Sequence, residues 1–228
     1  MKPVPTVVLI FFACIVPVVR GQQPTCEAPT PWAEFHRPNM RRSNPCEKLL
    51  NVHNVGSLAL KWSYTTGNVV DSSPAVTHGV IYVGSTDWNV YALNASTGAK
   101  LWSFATGLSV ESSPAVANGV VYVGSDDFNV YALNAKTGAK LWSYRTGNGN
   151  DLVSSPRPPN GVVSAPTVAN GVVYVGSEDQ KVYALNARTG AKLWSFNTGN
   201  YVDSSPAVAN GVVYVGSFDK KVYAFSLK

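Results

Sequence analysis

"VYALNAKTGAKLWSYRTG", Val130 to Gly147, is the middle one of three nearly identical strings: Val90 to Gly107 precedes it and Val182 to Gly199 follows it. A fourth copy begins at Val222 as "VYAFSLK". Trp62, Trp102 and Trp142 stand 40 residues apart, and Trp194 follows after 52 because the stretch around "NGNDLVSSPRPP" is inserted between the second and third copies. Self-similarity at this period marks stacked supersecondary units, each too small to bury its apolar face alone.

Each unit reads as strands. "SSPAVAN" and "GVVYVGS" are short runs rich in valine and alanine, split by Asn118-Gly119, Asn170-Gly171 and Asn210-Gly211. Asn-Gly supplies the positive φ angles of a type I′ hairpin. "NVYALNA" follows, then a turn at Lys136-Thr137-Gly138, then "KLWSYRT". That makes four short strands per unit, A to D. No stretch has the 3.6-residue periodicity of a long amphipathic helix, so helical repeats are excluded. Four-stranded units at this period are propeller blades, and the fold class expected is all-β.

The strings Ala92 to Trp102, Ala132 to Trp142 and Ala184 to Trp194, each with a Thr-Gly turn shortly before the tryptophan, resemble the PQQ-like (pyrroloquinoline-quinone-type) propeller repeat. There is no Trp-Asp or Gly-His pair of the WD40 kind and no Gly-Gly pair of the kelch kind. The resemblance runs over residues 59 to 228 and implies that Trp62, Trp102, Trp142 and Trp194 pack against the neighbouring blade and its turn glycine. The domain organisation expected is a signal peptide at 1–21, a lead segment at 22–57 and propeller repeats at 58–228, amounting to four blade equivalents.

Strands A to D are complete over 72 to 105, 112 to 145 and 164 to 197, whereas 204 to 228 supply A, B and C. "LALKWSYTT", Leu58 to Thr66, is a D strand without a blade of its own, and we expect it to pair beside "KVYAFSLK". Pairing removes an edge that invites aggregation. It has two solutions. One chain closes on itself with four blades, or two chains join head to tail into eight. The second is the expectation, because members of the resembled family have about eight blades and one repeat is not expected to encode two packing angles.

The first residues, "MKPVPTVVLIFFACIVPVVRG", carry Lys2, an apolar run and small residues before Gln22, the pattern of a secretory signal. Pro5 and Pro17 interrupt the run, which is short for a spanning helix, so no transmembrane segment is expected after cleavage. Cys26 and Cys46 are then the remaining cysteines in a chain bound for an oxidising compartment, and are expected to form a disulfide. Losing Lys2 and Arg20 lowers the net charge from +5 to +3, which is no nucleic-acid footprint. The expected location is periplasmic or secreted.

The copies differ mainly in the B to C turns ("STDWN", "SDDFN", "SEDQK", "SFDKK") and in the D to A connections, including the insert at 148–159. In a propeller both open on one face. That face is the expected binding surface for a protein partner or small ligand, with Trp88, Phe128, Arg145, Arg157, Tyr201, Phe218 and Lys220 as candidates. Asp87, Asp127, Asp179 and Asp219 recur at one place in each turn. Local backbone bonding explains a residue that serves every repeat better than a metal or acid-base site does.

The resembled family includes quinoprotein dehydrogenases, which hold PQQ with calcium in the ring, and non-catalytic scaffolds of the BamB kind. Neither the adjacent cysteines nor the haem Cys-x-x-Cys-His motif of such dehydrogenases occurs in this chain, and no catalytic or metal-ligating residue is assigned. The expectation is an exported, non-catalytic scaffold with no cofactor, the alternative being a PQQ-dependent enzyme or subunit.

Overall fold

The computed structural model describes residues 49–147 and 161–227. The signal segment, Cys26, Cys46, Arg157 and the insert at 148–159 lie outside the described residues. No helix among the described residues is long and apolar enough to cross a membrane.

After a 3-10 turn at Val55–Ser57, the described residues form fifteen strands in four antiparallel sheets. Blade 1 is β1 (Ala75–Thr77), β2 (Val80–Gly84), β3 (Asn89–Asn94) and β4 (Lys100–Ala105). Blade 2 is β5 (Ala115–Ala117), β6 (Val120–Gly124), β7 (Asn129–Asn134) and β8 (Lys140–Arg145). Blade 3 comprises β9 (Thr167–Ala169), β10 (Val172–Ser177), β11 (Lys181–Asn186) and β12 (Lys192–Asn197). Blade 4 has three strands, β13 (Ala207–Ala209), β14 (Val212–Ser217) and β15 (Lys221–Ser226). Each sheet is a meander in chain order, and the innermost strands β1, β5, β9 and β13 stand beside one another in sequence. This is the expected β-propeller of four blade equivalents.

Turn chemistry fixes each meander. Asn118 and Gly119 have φ of 51° and 74°, the two positive angles of the type I′ turn, and Asn170-Gly171 and Asn210-Gly211 repeat them. In blade 1 the same turn is made by His78 and Gly79, at 48° and 74°. In the outermost pair the register shifts between Ala92 and Leu93, which pair with Trp102 and Lys100, so Leu101 is bulged out. The same irregularity recurs at Ala132/Leu133 and Ala184/Leu185. A bulge re-aims the side chain beside it, and here the tryptophan turns toward the next blade.

The core lies between blades. Tyr82, Val90, Val110, Val121 and Leu133 are buried together at the junction of blades 1 and 2, and Tyr122, Val162, Val173 and Leu185 at that of blades 2 and 3. Trp102 Nε1 donates to Ala135 O at 3.0 Å, with its ring against the turn glycine: a Cβ on Gly138 would lie 2.8 Å from it. Trp142 does the same with Ala187 O and Gly190. Trp194 instead meets Phe225 edge to face, centroids 4.8 Å apart.

Leu58 to Thr66 takes the place of an outer strand before blade 1. Trp62 Nε1 donates to Ala95 O at 3.1 Å and its ring covers Gly98; Tyr64 packs on Tyr91 at 5.6 Å, as Phe104 packs on Tyr131 at 5.4 Å. Its backbone belongs to no strand, and β15 is paired with β14 alone. Among the described residues, blade 4 therefore has no fourth strand.

Candidate functional site

The B to C turns and the D to A connections do share a face. Thr86 N donates to Val69 O at 2.9 Å, Asp126 N to Ser109 O at 3.0 Å and Phe218 N to Tyr201 O at 2.9 Å, each joining a turn to the connection leading into its blade. The A to B and C to D turns meet at the opposite end, where Ala95 N donates to Gly79 O.

The recurring aspartates build this face. Asp87 Oδ1 accepts the Asn89 amide at 3.1 Å, closing its own turn, while Oδ2 accepts the Tyr91 phenol and the Gly67 amide, both at 2.6 Å. Gly67 follows the outer strand of the preceding blade position, so one carboxylate ties a turn to its neighbour. Asp127 binds Tyr131 and Gly107 in the same way, and Asp219 binds Tyr223 and Gly199. Asp179 accepts from Tyr183, whose oxygen also receives the Gly147 amide.

Burial would raise the Asp87 pKa, but the bonds from Tyr91, Gly67 and Asn89 outweigh it and hold the group below the usual carboxylate range. The Tyr223 bond chiefly holds Asp219 at about 2. Burial, and then the bond to Asp87, push Tyr91 up to about 12. Tyr131 and Tyr183 are raised by the same causes.

This arrangement also answers whether the carboxylates fit a calcium-dependent quinone site. Each sits on a different blade with its oxygens committed to amides and a phenol, and no group of three or more potential metal ligands occurs among the described residues. Bonded in this way, the four turn carboxylates do not fit such a site.

The aromatic candidates separate. Trp88, Phe128, Gln180 and Lys220 occupy one turn position with φ between 67° and 74°. Trp88 is 51% exposed, whereas Phe128 is 5% exposed beneath the Arg145 guanidinium, which stands 5.7 Å from the ring centroid and donates to Asp127 O at 3.0 Å. Phe128 is therefore not a surface contact, and Arg145 is its cover. Tyr201 is half-buried, Lys220 is exposed, and Phe218 is 58% exposed at the free flank of blade 4. Leu108, which the sequence does not single out, is exposed on the same face, its carbonyl and that of Trp88 sharing the Thr106 hydroxyl at 2.6 Å and 2.9 Å.

Residues 53–162 and 148–228 match the family described as outer membrane protein assembly factor BamB. The chain belongs to this family of PQQ-like repeats. Solved structures share the BamB-type blade arrangement. BamB from Moraxella catarrhalis superposes with a TM-score of 0.61 at 22% identity, over 73% of this chain and 49% of that one. Quinohemoprotein alcohol dehydrogenase from Comamonas testosteroni gives 0.64 at 23% identity, over 75% of this chain and 32% of that one. The computationally designed Ika4 protein gives 0.58 at 17%, over 72% of this chain and 94% of that one. The chain thus spans about half the length of the BamB structure it matches. No curated protein matches it.

Proposed function

We propose that this chain is an exported, non-catalytic propeller that binds a protein partner through the face carrying Trp88 and Leu108. The observation that carries the reading is Trp88 itself. A left-handed backbone costs a residue with a side chain roughly 1 kcal/mol relative to glycine. At φ 74° the turn favours glycine, yet it holds an indole half in solvent. Exposed aromatics on a rigid scaffold are the usual anchors of protein recognition. Membership in a family described as an assembly factor supports the same direction, as does the commitment of the turn carboxylates to structural bonds.

The test is photo-cross-linking in the exporting host with a benzophenone amino acid at position 88, against a control at Lys136 on the opposite end. A defined protein adduct at 88 and none at 136 is the expected result. The competing quinoprotein reading is tested on the purified chain by titration with PQQ and calcium and by dye-linked alcohol oxidation. Calcium-dependent quinone binding with turnover, and no adduct at 88, would overturn the scaffold reading.

A further inference from the structure

Four blades of nearly one sequence allow each junction to be compared with the others, and the free flank of blade 4 is missing identifiable atoms. At the junction of blades 1 and 2, Val110 is fully buried over Gly84, where an added Cβ would lie 2.4 Å from Val110 Cγ1, and the Val110 amide donates to Ser85 O at 3.1 Å. Val162 over Gly124 and Val202 over Gly176 repeat the arrangement. At the fourth position, a Cβ on Gly216 would meet nothing within 4 Å except Ser204, at 3.5 Å. The repeat-equivalent valine is Val70, which lies at the other end of the arc and is 46% exposed.

A second deficit matches the first. Ala135 O receives both Trp102 Nε1 and the phenol of Tyr82, and Ala187 O receives both Trp142 Nε1 and Tyr122. Among the described residues Ala95 O receives Trp62 Nε1 alone, while the equivalent tyrosine, Tyr214, is exposed on the flank of blade 4. The outer strand is the third deficit. Val222 on β15 is 79% exposed, and Leu58 to Thr66 is already docked on blade 1 without a ladder partner.

We propose that a second copy of this chain supplies these atoms, in a head-to-tail pair closed by two identical junctions. Val70 of one copy seats over Gly216 of the other, and Tyr214 donates to Ala95 O across the junction. β15 takes Leu58 to Thr66 as its fourth strand. The ladder of blade 1 sets the register, with Val222 opposite Tyr64, Tyr223 opposite Ser63 and Ala224 opposite Trp62. The occupant is a copy of this chain because the chain itself carries the matching half of every deficit, and its own three junctions leave the two halves apart. Strand addition to an open edge adds main-chain bonds to this side-chain fit, and a rotationally closed arrangement leaves no edge over.

The test is the solution mass by light scattering, for the purified chain and for Gly216→Ala and Val70→Asp. Within one chain both positions have room, so both variants keep the far-ultraviolet circular dichroism of the parent. The expected masses are two chains for the parent and one for each variant. A mixture of differently tagged Thr65→Cys and Lys221→Cys chains is expected to yield a disulfide-linked pair carrying both tags. A single-chain parent mass, a mass above two chains, or a Gly216→Ala variant that keeps the pair would each overturn the proposal. So would a Thr65→Cys/Lys221→Cys double variant that links only within one chain, the signature of self-closure.

Discussion

Asp127 in the B to C turn of blade 2 accepts, through one oxygen, the amide of Gly107 at the end of the outer strand of blade 1, at 2.7 Å. The phenol of Tyr131 donates to the same oxygen at 2.5 Å. A residue that closes its own turn thereby also fastens two blades, so its loss is felt at a junction rather than in one loop.

Asp127→Ala should accordingly cost more than the loss of a surface turn residue. It leaves the Tyr131 hydroxyl and the Gly107 amide without their acceptor, and a buried donor left unmade costs about 1–3 kcal/mol. Urea unfolding should show a lowered midpoint with the slope unchanged. Asp127→Asn, which keeps an acceptor oxygen, should recover part of the loss.

The same clamps set limits on pH. Asp87 and Asp219 have carboxyl pKa values lowered by folding, so their stabilisation is complete above the ordinary carboxylate value of about 4 and is lost as pH falls through the folded values, about 2 for Asp219. Tyr91 has a raised pKa, so its stabilisation is complete below about 10 and is lost as pH rises through about 12. Melting temperature against pH should therefore fall at both ends, and Tyr91→Phe should flatten the alkaline limb.

Glycine at the blade junctions is required by space. Gly84→Ala places a methyl 2.4 Å from Val110 Cγ1 and 2.6 Å from its carbonyl oxygen, and backbone on the far side cannot swing away. Overpacking of this kind costs about 1–3 kcal/mol. Trp102→Ala at the outer part of the same junction should cost about 3 kcal/mol, since it empties the contact with Gly138 and the bond to Ala135 O. Thermal unfolding of the two variants measures both.

Trp88→Gly should separate stability from recognition. Glycine suits φ 74° and the indole is half in water, so the melting temperature should hold or rise. Binding of the partner identified by cross-linking should fall at least tenfold, the scale on which anchoring aromatics act.

The blades were legible because the repeat writes its own alignment. Asn-Gly gives the hairpins, and the spaced tryptophans find their turn glycines three times, at Gly98, Gly138 and Gly190. The aspartates were legible as turn residues, but not as clamps between blades. The signal was present in the recurrence of Tyr91, Tyr131, Tyr183 and Tyr223 four residues after each aspartate, and of Gly67, Gly107 and Gly199 twenty before. What no pattern could show is that Trp88 and Phe128, at one repeat position, differ in exposure. Arg145 stands over the Phe128 ring, where the outer strand of blade 1 ends in Ala105.

In the proposed pair, Leu58 to Thr66 is the fourth strand of a blade begun by β13, β14 and β15. Amide hydrogen exchange reads this directly, because a backbone amide outside a ladder exchanges rapidly even where its side chain is docked. The expected result is slow exchange over Leu58 to Thr66 and along the outer edge of β15, comparable to that of β4 against β3, and lost in Gly216→Ala. Exchange at the rate of unpaired chain in both segments of the parent would contradict it.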